Sequence, residues 1–154
     1  MVIRKMQNGD IDEVRFMMRD LQDSHAKMAP DIFKEGILRD VEYFENILSD
    51  NKRIILVAID DGIPVGFVKG KIIDFSGSDM LKARKYGYVD GIFVKKAYRG
   101  RLVEYKLQTE LFNWFKSLGL NRVEANVYEF NERAKKYYKL FGYSYIKHGL
   151  QINI

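Results

Sequence analysis

The sequence predicts one α/β domain, a mixed and mostly antiparallel central sheet with helices on both faces, and three observations predict it. Arg53-Ile54-Ile55-Leu56-Val57-Ala58-Ile59 is a continuous apolar, β-branched run, the mark of a strand covered on both faces, and Asp60-Asp61-Gly62 turns it into a second apolar run. Tyr88 to Val94 is a strand that feeds, across a basic turn, a strongly amphipathic helix, so the strand after that helix returns parallel. At 154 residues and 47% apolar composition, the chain can bury one core and is too short for two ordinary ones.

Val2 to Met6 alternates weakly and reads as a first strand. After the turn at Asn8-Gly9-Asp10, Asp10 or Asp12 can cap a helix whose Val14, Met17, Met18 and Leu21 recur at helical spacing. Pro30 disfavours helical geometry at Ala29, so the run from His25 to Pro30 ends that helix. A second helix is expected from about Asp31 to Asp50, with Ile37, Val41, Phe44 and Leu48 on one face. The hairpin follows, its partner strand running from Pro64 to about Ile73. Asp74 to Lys85 is a polar loop, and Tyr86 to Val94 a strand. From Leu102 to Leu118 a helix aligns Val103, Leu107, Leu111, Trp114, Phe115 and Leu118, and Gly119 ends it. Val123 to Tyr128 is expected to be a strand, Asn131 to Leu140 a short helix, and Tyr143 to Ile154 one or two final strands.

Composition narrows the chemistry. There is no cysteine, which excludes disulfides, thiolate metal sites and cysteine nucleophiles. The two histidines, His25 and His148, lie far apart with no second ligand at metal spacing, so no metal site is expected. No Gly-x-Ser-x-Gly elbow occurs, which argues against a serine hydrolase. No apolar run is long enough to span a bilayer and the start lacks a secretory h-region, so a cytoplasmic protein with no membrane partner is expected. The net charge of +5 suits an anionic partner. Nucleic acid is an unlikely one, since no zinc-finger spacing, recognition helix or arginine-rich arm is present.

The basic turn Lys95-Lys96-Ala97-Tyr98-Arg99-Gly100-Arg101, placed between strand and helix, forms an anion site. The unpaired N–H groups of a first helical turn and the positive end of its dipole both favour a phosphate, and arginines add charge-assisted hydrogen bonds. Tyr98-Arg99-Gly100-Arg101-Leu102-Val103-Glu104 resembles the Tyr-Arg-Gly-x-Gly-x-Gly signature of the GCN5-related N-acetyltransferase (GNAT) superfamily. Asn131-Glu132-Arg133-Ala134-Lys135-Lys136-Tyr137-Tyr138, continued to Gly142-Tyr143, is similar to that superfamily's second signature, with every named position present. With the strand from Tyr88 that leads into the first, the resemblance covers roughly the last 70 residues of the chain.

The resemblance implies the acyl-CoA N-acyltransferase fold over residues 1–154, with the middle strands Tyr88–Val94 and Val123–Tyr128 splayed to admit an acyl-pantetheine arm. It implies acetyl-CoA as acyl donor, without a metal, and a primary amine as acceptor, with homodimers frequent. Ile92, Phe93 and Val94 would flank the arm, with an oxyanion donor near Ile92 or Phe93, and Arg99, Gly100, Arg101, Leu102, Val103 and Glu104 would hold the pyrophosphate. Asn131 would bond the arm, Ala134 leave room for it, Tyr137 pack beside it, and Tyr138 give a proton to the departing thiolate. Asp90 stands where some members carry a glutamate, to act on the amine through water or to attract it. An aspartate ordinarily titrates near ~3.9, a poor direct base. His25 and Phe33 would line the acceptor pocket.

Two positions depart from the pattern. Leu102 replaces a glycine, which is tolerable where the backbone is already right-handed helical. Glu104 replaces another, and a carboxylate about 4 Å from a phosphate would repel it by roughly 4 kcal/mol at an effective dielectric near 20 unless it turns away. Those departures favour an alternative, a CoA-binding or regulatory module with weakened catalysis.

Overall fold

The computed structural model describes residues 1–154. In chain order the elements are β1 (Val2–Lys5), α1 (Ile11–Met28), α2 (Val41–Leu48), β2 (Arg53–Asp60), β3 (Ile63–Phe75), β4 (Arg84–Val94), α3 (Val103–Ser117), β5 (Val123–Ala125) and α4 (Glu132–Leu140). The five strands lie in the order β1-β2-β3-β4-β5, antiparallel except for the last pair. The β2–β3 turn has Asp61 at φ +47° and Gly62 at φ +78°, the pair of left-handed residues that a two-residue hairpin turn needs to match strand twist. α3 is the crossover that makes β4 and β5 parallel.

Each face of the sheet carries its own core. Ile54, Leu56, Val68 and Val89 meet Leu107, Leu111 and Phe115 of α3 on one side. Ile55, Val57 and Phe67 meet Val14 and Met17 of α1 and Phe44 and Ile47 of α2 on the other. Burial on both faces is the reason β2 is apolar at every position from Ile54 to Ile59 rather than at alternate ones. α3 sits close because the sheet is notched beneath it. A Cβ on Gly87 would lie 2.7 Å from the Phe115 ring, and one on Gly70 would lie 2.6 Å from Leu111 Cδ1.

Several expected boundaries move. The loop expected from Asp74 to Lys85 is shorter, because β3 and β4 stay paired out to Phe75 with Arg84. α1 runs through to Met28 and ends where Ala29, ahead of Pro30, leaves helical geometry at φ −145°. The second helix starts only at Val41. Gly36 is left-handed at φ +73° and its N–H donates to Asp23 Oδ1 at 2.7 Å, which ties the preceding segment to α1 in an irregular path. β5 stops at Ala125, three residues short of the expectation, because β4 stops pairing with it there. Residues 144–154 form no strand, although Leu150, Ile152 and Ile154 alternate, because a strand needs a neighbour to bond and three-residue β5 offers too short an edge. No helix is long and apolar enough to cross a membrane.

Candidate functional site

The site lies where β4 and β5 part. Their pairing is confined to Gly87 with Val123, Tyr88 with Glu124 and Val89 with Ala125. From Asp90 to Val94, β4 pairs with β3 alone, so Ile92, Phe93 and Val94 border an open gap on the β5 side. The register of β3 against β4 slips at this point: Lys69 faces Gly91 and Gly70 faces Val89, leaving Asp90 as the extra residue of a bulge.

Across the gap, the turn after β4 presents unpaired donors. The N–H groups of Gly100 through Tyr105 donate to no acceptor in the protein, and the first backbone bond of the helix is from Lys106 N–H to the Leu102 carbonyl. Gly100 is left-handed at φ +78°, and Leu102, the residue before α3, is left-handed at φ +60°, ψ 16°. The condition under which Leu102 could replace glycine without strain, a right-handed backbone, is not met: it holds, at a cost of about 1–2 kcal/mol, the geometry that glycine would take freely, with its side chain mostly in solvent. Arg99 reaches back to donate from Nε to the Val94 carbonyl at 3.0 Å, and Arg101 stacks on Tyr98. Burial, with the positive charge of Arg133 nearby, lowers the Arg99 pKa while Glu104 opposes the shift.

Glu104 turns away from this row of N–H groups. Its Oε1 accepts from Arg133 Nη2 of α4 at 2.6 Å, and its side chain is 17% exposed. α4 is clamped here by a second set of bonds. The Tyr137 hydroxyl shares its one proton between two acceptors, Gln108 Oε1 at 3.1 Å and the Glu104 carbonyl at 3.3 Å, while Gln108 Nε2 donates to the Tyr143 hydroxyl. Burial raises the pKa of both Tyr137 and Tyr143, so both stay neutral. Asn131 caps α4, its Oδ1 accepting from Ala134 N–H at 3.1 Å.

Tyr138, on the face of α4 shared by Asn131 and Ala134, packs against the Tyr143 ring. Burial pushes its phenol up to about 12, with a smaller contribution from Tyr88. Tyr88 lies on β4 beside the bulge, and its ring carries Lys71 Nζ at 5.1 Å from the centroid. Asp90 is ion-paired twice, to Lys69 Nζ at 2.8 Å and Lys71 Nζ at 3.5 Å. Lys69 also donates to the Tyr43 hydroxyl of α2 at 2.9 Å. Burial works against the Lys69 charge, but Asp90 and Tyr43 outweigh it and raise its pKa.

A third group gathers at the C-terminal end of α1. His25 bonds the Leu21 carbonyl through Nδ1 and lies 5.1 Å from the Phe33 ring, and Phe33 in turn meets Tyr128 and Phe130 edge-on. His25 and Phe33 thus come together, with two aromatics from the loop after β5. A surface depression of about 550 Å³ between α2 and the start of β2 is polar and open and shares only Tyr43 with these groups. No cluster of residues able to hold a metal ion is present.

Reading the sequence did not single out Lys69, Lys71, Tyr43, Tyr88 or Arg133 for these roles. Two lysines interrupting the apolar run from Val65 to Ile73 are the available signal for the first pair. Arg133 lies inside the second signature, but its partner Glu104 is 29 residues away and the pairing is visible only in three dimensions.

The sequence profile of the Acetyltransferase (GNAT) family matches residues 18–143, spanning both the bulged β4 and the clamped α4. The chain belongs to this family. Its mixed sheet, parted strands and flanking helices are the GNAT acyl-CoA N-acyltransferase fold. A search of curated protein sequences finds no match. Among solved structures, a mutant of the BH1408 protein from Bacillus halodurans is similar at TM-score 0.93 and 22% identity, over 100% of this chain and 99% of that one. The aminoglycoside N-acetyltransferase AAC(6')-Iy in complex with CoA is similar at TM-score 0.76 and 18% identity, over 99% and 98%. AAC(6')-IG from Acinetobacter haemolyticus is similar at TM-score 0.76 and 15% identity, over 100% and 98%. At these identities the likeness speaks for the fold, and the GNAT membership identifies an acetyltransferase whose acceptor is left open.

Proposed function

We propose that this GNAT protein is an acetyl-CoA-dependent N-acetyltransferase that passes acetyl directly to a primary amine of a small molecule or peptide. The observation that carries the reading is the row of unpaired N–H groups from Gly100 through Tyr105, which follows the stretch of β4 that β5 leaves unpaired. The donor set fits a pyrophosphate: N–H groups at a helix start, with Arg99, Arg101 and Arg133 around them. Ile92, Phe93 and Val94 would flank the pantetheine arm, with the spare amide hydrogens of Asn131 within its reach. When bound, acetyl-CoA supplies a carbonyl for the amine nitrogen to attack and a sulfur that leaves with the bonding pair and takes up a proton.

Magnitude decides how Tyr138 acts. A phenol held at about 12 would have to give its proton to a thiolate whose thiol titrates near ~8.5, uphill by roughly 5 kcal/mol. Tyr138 therefore serves as a hydrogen-bond donor to the sulfur as charge develops, and it remains a phenol. The proton that sulfur finally keeps comes from the nitrogen, which sheds one as its bond to carbon forms. Asp90, with both oxygens engaged by lysines, orients those lysines and any water beside them. Their positive field favours the neutral form of a nearby amine, the form that can attack.

The alternative, a module without catalysis, rested on Leu102 and Glu104. The left-handed geometry is kept at Leu102 without glycine, and Glu104 is neutralised by Arg133, which supports an open phosphate site. Calorimetric titration with acetyl-CoA, against an adenine-only control, tests the reading. Micromolar binding that needs the pantetheine arm, followed by thiol release with an amine, is the expected result; absence of binding would overturn it.

A further inference from the structure

We propose that the acceptor carries an anionic group, a carboxylate or phosphate, which Lys69 and Lys71 receive beside the β4 bulge. This deepens the acetyltransferase reading and rests on it. Lys69 stands in the third of five strands, on the face that packs against α1 and α2, and its side chain is only 17% exposed. Burying an ammonium costs stability even when it is paired, and an apolar residue there would extend the core formed by Ile55 and Phe67. Its neighbour Lys71 repeats the charge on the same face. Two ammoniums share one carboxylate: neither lysine has any acidic partner but Asp90, and the Lys71 contact is the looser, at 3.5 Å.

The surroundings leave that excess unbalanced. Tyr43 offers Lys69 a hydroxyl oxygen, Tyr88 offers Lys71 a ring face, and Arg39 adds a third cation 4.6 Å from the Tyr43 ring centroid. α1 covers Gly91 with the apolar Leu21. An ammonium has three donors, so Lys71, exposed to 36%, keeps donors for an incoming anion. The placement is that of an acceptor subsite: Asp90 is the bulge residue where β4 leaves β5, and Tyr88 is close enough to Tyr138 to influence its proton. A polycationic amine would meet this field as repulsion. The aromatic group of His25, Phe33, Tyr128 and Phe130 at the end of α1 offers ring faces and edges for the rest of the acceptor.

The test compares matched amines in a thiol-release assay: L-phenylalanine against 2-phenylethylamine, O-phosphoethanolamine against ethanolamine, and spermidine as a polycation. The expected result is that the anionic member of one pair exceeds its partner at least tenfold in kcat/KM, the pair telling carboxylate from phosphate. Lys69→Met should erase that preference through KM, and Lys69→Arg should retain it. Lys71→Met, at the more exposed position, repeats the test should Lys69→Met fail to fold. Equal or better use of the uncharged-tail amines or spermidine would overturn the inference, as would a preference that survives both methionine variants. Calorimetry on the same samples separates the levels: acetyl-CoA bound with no anionic amine acetylated overturns this inference alone, and no acetyl-CoA bound overturns the reading beneath it.

Discussion

Replacing Arg133 with alanine should weaken acetyl-CoA binding by about 10- to 30-fold, and adding Glu104→Gln should restore most of the loss. Arg133 Nη2 lies 2.6 Å from Glu104 Oε1, and the carboxylate is 17% exposed. Without the guanidinium, Glu104 is an uncompensated charge in the first turn of α3. A phosphate seated on that turn, some 5 Å away, would be repelled by roughly 3 kcal/mol at an effective dielectric near 20. Partial exposure and salt reduce this to about 1.5–2 kcal/mol, which converts to the stated fold-change. The assay is calorimetric titration of the four proteins of the double-mutant cycle at low salt. Glu104→Gln alone frees Arg133 for the phosphate and should tighten binding by up to about tenfold. Two results would refute the reasoning: unchanged affinity in Arg133→Ala, or a double variant no better than Arg133→Ala.

Other consequences follow from the same geometry. Tyr138→Phe should lower kcat by about 100-fold with little change in the KM for acetyl-CoA, and the wild-type kcat profile should show no limb from this phenol below about pH 11. Because burial raises the Tyr138 pKa to about 12, its contribution to stability is full below its unfolded value near ~10 and fades as pH rises toward about 12, by roughly 3 kcal/mol. Thermal unfolding across pH 8–11.5 should fall steeply at the alkaline end, and less so in Tyr138→Phe. Gly87→Ala should cost about 1–3 kcal/mol, read as a Tm drop of several degrees, since the new methyl would lie 2.7 Å from the Phe115 ring. Asp10→Asn should destabilise by about 2–4 kcal/mol, because Asp10 is 5% exposed and accepts from both Arg4 nitrogens and from Gln7 N–H. Burial alone would raise the Asp10 pKa, but Arg4 and Gln7 lower it. Its contribution is therefore present at neutral pH and lost as pH falls below about 4, and denaturant unfolding at pH 7 and pH 3 should show the gap between wild type and variant closing.

The sheet was legible because its signals are local. β2 and β3 announce themselves by apolar runs joined by Asp61-Gly62, and α3 by a stripe that ends at Gly119. The second helix was over-extended because Ile37 has helical spacing from Val41 and Phe44, while the left-handed Gly36 and its bond to Asp23 depend on where α1 lies. The last strands were misread for the reverse reason: Leu150, Ile152 and Ile154 alternate, but pairing requires an edge that β5 is too short to supply. At the site, the turn proposed to hold the phosphates could be placed from Arg99, Gly100 and Arg101 in sequence. The handedness of Leu102 could not, since propensity argues against the conformation it adopts. Nor could the partners of Asp90 and Glu104, which come from β3 and α4. Charges in a sequence do not name the ions they will face.

The central claim is that acetyl-CoA docks its phosphates on the N-terminal turn of α3 and its arm between β4 and β5. Titrating ¹⁵N-labelled protein with acetyl-CoA and following the backbone amides tests it most directly. The account predicts that the largest shifts fall on Gly100 through Tyr105, with a second group on Ile92 to Val94, saturating together at micromolar ligand. Saturation with shifts confined to other elements, or no shift at millimolar acetyl-CoA, would contradict it.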